Sequence, residues 1–191
     1  MKQDRTNTTT SEMNQLAISQ TKAWLDEVVI GLNFCPFAKK EFVNNTIAYA
    51  VSAHSQLKLA LEEVALQFEL LAHDAEIETS LLIFTDGYLQ FERFLDLVDY
   101  SNDLLIDLGF EGIFQLANFH PDYFFEGEPL DSASHYTNRS PYPTLHFIRE
   151  KSMERALNHY PNPELIPENN IALTQEKGCD YFEQILKRIK R

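Results

Sequence analysis

Residues 80–119 read SLLIFTDGYLQFERFLDLVDYSNDLLIDLGFEGIFQLANF, and this stretch decides the fold. Ser80 to Thr85 is a short, continuous apolar run, as expected of a strand buried on both faces. Asp86 and Gly87 turn the chain. From Phe91 to Leu108 apolar residues recur at helical spacing, and Gly109 ends the pattern. Gly112 to Phe119 then reads as a second strand. A strand, a helix and a strand in succession imply a crossover, with helices packed on a sheet.

The flanks extend the pattern in both directions. Thr46 to Ser52 predicts an earlier strand and Gln56 to Leu71 a helix. Thr144 to Ile148 predicts a fourth strand, which need not run parallel to the others. Ser11 to Gly31 reads as a helix with Met13, Leu16, Ala17, Trp24 and Val28 on its apolar side, and Gly31 is expected to stop it by taking a positive φ. Helical segments follow the fourth strand: Ser152 to Tyr160, a broken stretch from Pro163 to Lys177, and Gly178 to the end. The expected fold is α/β, a single layered domain of about four mainly parallel strands flanked by helices. It spans residues 12–191, after a frayed polar tail over 1–11.

Composition bounds the function. A 44% apolar share with 14 phenylalanines supports a hydrophobic core that needs no disulfides or structural metal. The net charge of −13 argues against a nucleic-acid or anionic-membrane surface, because those need clustered Lys and Arg. No span approaches the roughly 18 apolar residues of a membrane helix, the N-terminus lacks a signal-peptide core, and the two cysteines are far apart. A cytoplasmic protein is expected.

Unusual polar residues concentrate in two places. In the first, Cys35 precedes Pro36, which would open a short helix and leave the thiol at its N-cap. There unpaired N–H groups, with Lys39 and Lys40, would favour thiolate. The second is the long irregular segment from His120 to Arg149, too aromatic for disorder. His120 follows a strand end, where ligands gather in open α/β sheets. Asp131 is placed to orient a histidine. Asn138, Arg139 and Ser140 form a polar loop stiffened by Pro141 and Pro143, and the planar fork of Arg139 suits a carboxylate or phosphate. His146 interrupts an apolar strand on the face opposite Leu145 and Phe147. Each has a structural alternative: a buried inert thiol, a turn cap, a core histidine, and for Arg149 an ion pair with Glu150. No HExxH, CxxC, Walker loop or GxGxxG is present.

The motifs Asn33-Phe34-Cys35-Pro36-Phe37-Ala38-Lys39, Gln115-Leu116-Ala117 with Phe119-His120-Pro121-x-Tyr123-x-Phe125, and Tyr136-Thr137-Asn138-Arg139-Ser140-Pro141-x-Pro143-x-x-His146 with Arg149-Glu150 resemble an uncharacterised bacterial family, domain of unknown function 1415. The resemblance runs from about Trp24 to about Gly178. It implies a cytoplasmic single-domain protein and carries no established activity.

Three functions are therefore expected in order. The first is a small enzyme acting on an anionic small molecule. Cys35 would be its nucleophile or redox thiol, and His120 or His146 its acid/base, with Asp131 orienting. Asn33, Lys39, Tyr136, Asn138, Arg139, Ser140 and Arg149 would bind the substrate. The second is a non-catalytic ligand-binding or regulatory module using the same loop. The third is a Cys/His transition-metal or haem site. The Cys35 loop and the segment from Asp131 to His146 are expected to lie together at one pocket.

Overall fold

The computed structural model describes residues 2–191, with side chains from Ser11 onward. Helix α1 spans Lys2–Trp24 and continues directly into a π-helical segment, Leu25–Ile30. The frayed tail expected over residues 1–11 falls mostly where side chains lie outside the described residues. Next come α2 (Ala38–Asn44), β1 (Ile47–Ser52), α3 (Leu57–His73), β2 (Thr79–Phe84), α4 (Phe91–Asp107) and β3 (Phe114–Phe119). A long connection containing a short 3-10 helix, Ala133–Thr137, leads to β4 (Thr144–Arg149). Then α5 (Glu150–Asn158), α6 (Ile166–Lys177) and α7 (Cys179–Ile189) close the chain.

The sheet order is β1-β2-β4-β3. β1 and β2 pair in parallel, and β4 inserts antiparallel to both β2 and β3. Three strands thus point one way and β4 the other, so most strands are co-directional while two of the three pairings are antiparallel. The crossover through α4 leaves a gap one strand wide, and the chain returns after β3 to fill it.

Strand alternation divides the core in two. On one face Leu82, Phe84, Phe114, Leu145 and Phe147 pack with Val64, Phe68 and Leu71 of α3 and Phe94 and Leu97 of α4. Ser80, a buried polar residue on that face, donates its hydroxyl to Gln67 Oε1 at 2.6 Å. On the other face Leu81, Ile47, Tyr49 and Phe119 meet Trp24, Leu25, Val28 and Val29 and the α7 residues Phe182, Ile185 and Ile189. β2 is buried over five of its six residues, which accounts for its unbroken apolar run.

Gly31 does not terminate the first helix as expected. Its φ is −62°, in the right-handed region, and the positive φ falls two residues later on Asn33, at 58°. Glycine is required at position 31 for another reason. The Gly31 N–H donates to Asp26 O at 2.9 Å, five residues back, and a Cβ there would lie 2.5 Å from Glu27 O. The wide turn presses its carbonyls against the next residue and leaves no room for a side chain. π segments of this kind often occur at functional sites, and this one covers the second face of the sheet beside β2.

Arg149 holds the other end of the fold together. Its guanidinium donates to the carbonyls of Leu71 at 2.6 Å, Asp74 at 2.9 Å and Ile77 at 3.0 Å, closing the C-terminal end of α3. Sequence reading made it part of a substrate clamp; its Nε and Nη2 donors are committed to backbone carbonyls instead.

Candidate functional site

Above the second face of the sheet, packing is incomplete. A cavity of about 280 Å³ lies between the strands and the π segment, α2 and α5. Its floor is a cross-strand row: His146 on β4 is in register with Leu81 on β2 and with Ala117 on β3. Leu25 and Val29, one π turn apart, form one wall, and Met153 and Ala156 of α5 form another. Neither α2 nor α5 fully buries any residue. For an amphipathic helix such as α5, that is the signature of an apolar side lying over empty space rather than over a packed core.

The polar groups on this wall are few. His146 Nε2 lies 2.7 Å from Thr79 Oγ1, and that hydroxyl donates to Phe147 O at 2.6 Å. Because Thr79 spends its single proton on the carbonyl, it must accept from His146, which places the imidazole proton on Nε2. Nδ1 is left as a lone pair with no hydrogen bond among the described residues. Burial lowers the His146 pKa from 6.5 to about 4, so the ring is neutral at physiological pH. The unfolded chain therefore binds this proton more readily than the native one between about pH 6.5 and pH 4. Stability is whole above that window and falls as the pH drops through it, by up to about 3 kcal/mol. Chemical denaturation between pH 7 and pH 4 should show this slope, and His146→Phe should flatten it; an unchanged slope in the variant assigns the acid sensitivity elsewhere.

Cys35 also lines this cavity, together with a second one of about 500 Å³ that carries Ser134, Thr137, Asn138 and Phe125 on its far side. Cys35 thus forms part of the wall between two hollows, and residues of both sequence regions singled out for chemistry meet there. The detailed expectation for the thiol does not hold. Helix α2 begins at Ala38 with Phe37 at its N-cap, and Cys35 sits before it in the preceding turn. Burial raises its pKa above the ordinary thiol value and outweighs the backbone hydrogen bonds from Phe37 and Ala38, which act the other way. No hydrogen bond joins Cys35 and His146 among the described residues.

Several other residues expected in the site are held by backbone or core contacts. His120 is wholly buried; its Nε2–H donates to Tyr88 O at 3.0 Å and its Nδ1 accepts from the Asp122 N–H at 3.0 Å. Both nitrogens are spent, leaving none for acid–base work. His135 is held the same way, accepting from the Phe125 N–H at 3.1 Å and donating to Pro129 O at 2.8 Å, and Asp131 is exposed rather than paired with it. Ser140 is buried and donates to Tyr142 O. Tyr136 stacks on Phe182 within the core. Asn33 and Lys39 are exposed and line none of these cavities. Asn138 does line the larger one, with its amide donating to Asn118 O.

Arg139 faces none of these cavities. Its Nε donates to Tyr123 O at 3.0 Å and its guanidinium lies 4.6 Å from the centre of the Tyr136 ring. Arg139→Lys, expected from sequence to weaken binding and spare the fold, should now do the reverse. Losing the planar stack and the fixed Nε–H lowers stability by about 1–2 kcal/mol. A denaturant melt showing no change would return Arg139 to a ligand-binding role.

Sequence reading missed Glu78, Thr79, Ala117, Ser152 and Met153, all on the cavity wall. A signal existed only for Ala117, a small residue in a strand that otherwise carries larger side chains. Among the described residues, no three His, Cys, Asp or Glu side chains gather as a metal-ion set would, and no helix is long and apolar enough to cross a membrane.

The chain belongs to a family described as "Protein of unknown function (DUF1415)", whose model matches residues 16–184. No curated protein and no solved structure matches it.

Proposed function

We propose that this family member binds a small, largely apolar molecule in the cavity between the sheet and the helices α2 and α5, with His146 Nδ1 accepting a hydrogen bond from it. One observation carries the reading: two helices roof a hollow without fully burying a single residue, while the hollow's floor holds a tautomer-fixed histidine with an unused lone pair. Ligand sites have this composition, mostly apolar walls with a few placed polar groups. An occupant would complete the burial that α2 and α5 lack.

The polarity of the wall runs against the anionic ligand expected from sequence. Glu41 and Glu78 line the cavity and no Lys or Arg does. The resting states of Cys35 and His146 also favour binding over thiol chemistry. A raised thiol pKa beside a lowered imidazole pKa describes a neutral pair, not a thiolate–imidazolium one. An imidazole whose conjugate acid has a pKa near 4 is a weak base for proton abstraction at neutral pH, yet it remains a good hydrogen-bond acceptor.

The test is thermal unfolding with a neutral apolar alcohol such as hexan-1-ol. A saturable rise in melting temperature that is reduced in His146→Phe supports the reading. A rise that grows without saturation, or one unaltered by the variant, refutes it. The thiol–imidazole enzyme stands as a second reading, favoured by Cys35 and His146 lining one cavity. It requires the native Cys35 thiol to react with iodoacetamide at pH 7 at least as fast as in the unfolded chain, whereas the binding reading expects slower alkylation.

A further inference from the structure

We infer that the ligand of this cavity is a cation, an apolar amine whose ammonium group is held by Glu78; the inference rests on the binding reading above. The charged groups that reach the cavity wall are two carboxylates, Glu41 and Glu78, and they differ in what they still offer. Glu41 is spent: Thr46 Oγ1 donates to its Oε2 at 2.6 Å, and Lys40 Nζ lies 3.2 Å from its Oε1. Glu78 receives one hydrogen bond, from the Ser152 hydroxyl at 2.7 Å on Oε2. Its other oxygen accepts none, and no salt bridge neutralises it among the described residues.

Position makes that free oxygen useful. Glu78 and Ser152 line both the inner cavity and an outer recess of about 370 Å³, so the carboxylate stands at the boundary between them. Behind it the walls are mostly aliphatic and aromatic, with Cys35, Thr79 and His146 as the polar groups among them. A molecule with an apolar body and one ammonium group can fill the cavity and leave its charge at that boundary, beside a carboxylate. A carboxylate ligand in the same pose would meet Glu78 as a like charge. The cations of the recess do not reverse this. Lys40 is engaged with Glu41, and Arg155 lies further out, where it donates to Ser152 Oγ at 2.9 Å and fixes the hydroxyl that in turn donates to Glu78. Arg155 and Ser152 thereby orient the Glu78 carboxylate. The protein's net charge of −13 adds long-range attraction for a cation.

The experiment compares three probes of equal chain length at pH 7.5 by calorimetric titration: hexan-1-amine, hexan-1-ol and hexanoate. The expected order is ammonium over alcohol over carboxylate, with the ammonium at least about tenfold tighter than the alcohol at low salt and the margin shrinking as salt rises. In Glu78→Gln the ammonium should fall to the level of the alcohol, while the alcohol binds as in the parent. Alcohol binding in the variant also shows that the cavity remains formed. If the alcohol binds and the amine is no tighter, or its margin survives Glu78→Gln, the charge assignment is overturned and the cavity reading stands. If none of the three binds the parent protein, both fall together.

Discussion

Replacing Ala156 with Phe abolishes binding in the cavity and leaves the protein as stable as before, or more so. Ala156 is half-buried on α5, where its methyl group lines both the inner cavity and the outer recess. A phenyl ring projecting from this position enters space that is already open, so it adds apolar burial without displacing core side chains, a gain of up to about 2 kcal/mol. The same ring removes the volume a ligand needs. Affinity for an apolar probe should drop at least about 100-fold, while the melting temperature of the free protein stays level or rises. If the variant binds as well as the parent, the ligand does not sit between α5 and the sheet. A steep fall in melting temperature would mean that the site is tightly packed rather than hollow.

His120→Phe has the opposite profile, and the contrast separates the two strand-associated histidines. His120 is wholly buried against Phe91 and Phe94 and bridges the backbone at Tyr88 and Asp122. A phenyl ring fits the aromatic surroundings but satisfies neither the Tyr88 carbonyl nor the Asp122 N–H. Each orphaned group costs about 1–3 kcal/mol, so the variant should lose roughly 2–6 kcal/mol. At temperatures where it remains folded, cavity binding should be unchanged. His146→Phe should show the reverse: a small stability change at pH 7, with the ligand's hydrogen bond lost. Equal effects of both variants on binding would contradict the division of roles.

How far the sequence could be read is clearest from particular elements. The helix predicted over Phe91 to Leu108 is found as Phe91–Asp107, and the unbroken run at Ser80 to Thr85 is found as Thr79–Phe84, because periodicity and burial leave local traces. The alternation that placed His146 opposite Leu145 and Phe147 is likewise local. The place of β4 between β2 and β3 left no such trace, since strand order depends on pairings between distant residues. The same holds for side-chain roles. His120, a plausible acid/base by position, is fixed by a carbonyl 32 residues away, and Arg149 by carbonyls 72 to 78 residues away. Thr79, which decides the tautomer of His146, is separated from it by 67 residues. Polar residues that look chemical in one dimension are often those a long loop needs to satisfy its own buried backbone. The segment from His120 to Ser140 follows that rule, with His120, His135, Arg139 and Ser140 all bonding to main-chain groups. The cavity, in contrast, joins motif residues from distant stretches, Cys35, Ala38, Ala117, Phe119 and His146, to Leu25, Val29, Leu81 and Met153, which no motif marks.

Nitrogen-15 NMR of the histidine side chains during titration with hexan-1-ol, whose hydroxyl is free to donate, tells a ligand bound at His146 from one bound elsewhere. His146 is expected to start as a neutral ring protonated on Nε2, and its Nδ1 resonance alone among the histidines to move upfield in a saturable way as it accepts a hydrogen bond. The amides of Leu81, Ala117 and Met153 should shift along the same binding curve. A titration in which the ligand binds while His146 Nδ1 stays still, or in which His120 responds instead, would contradict the binding reading.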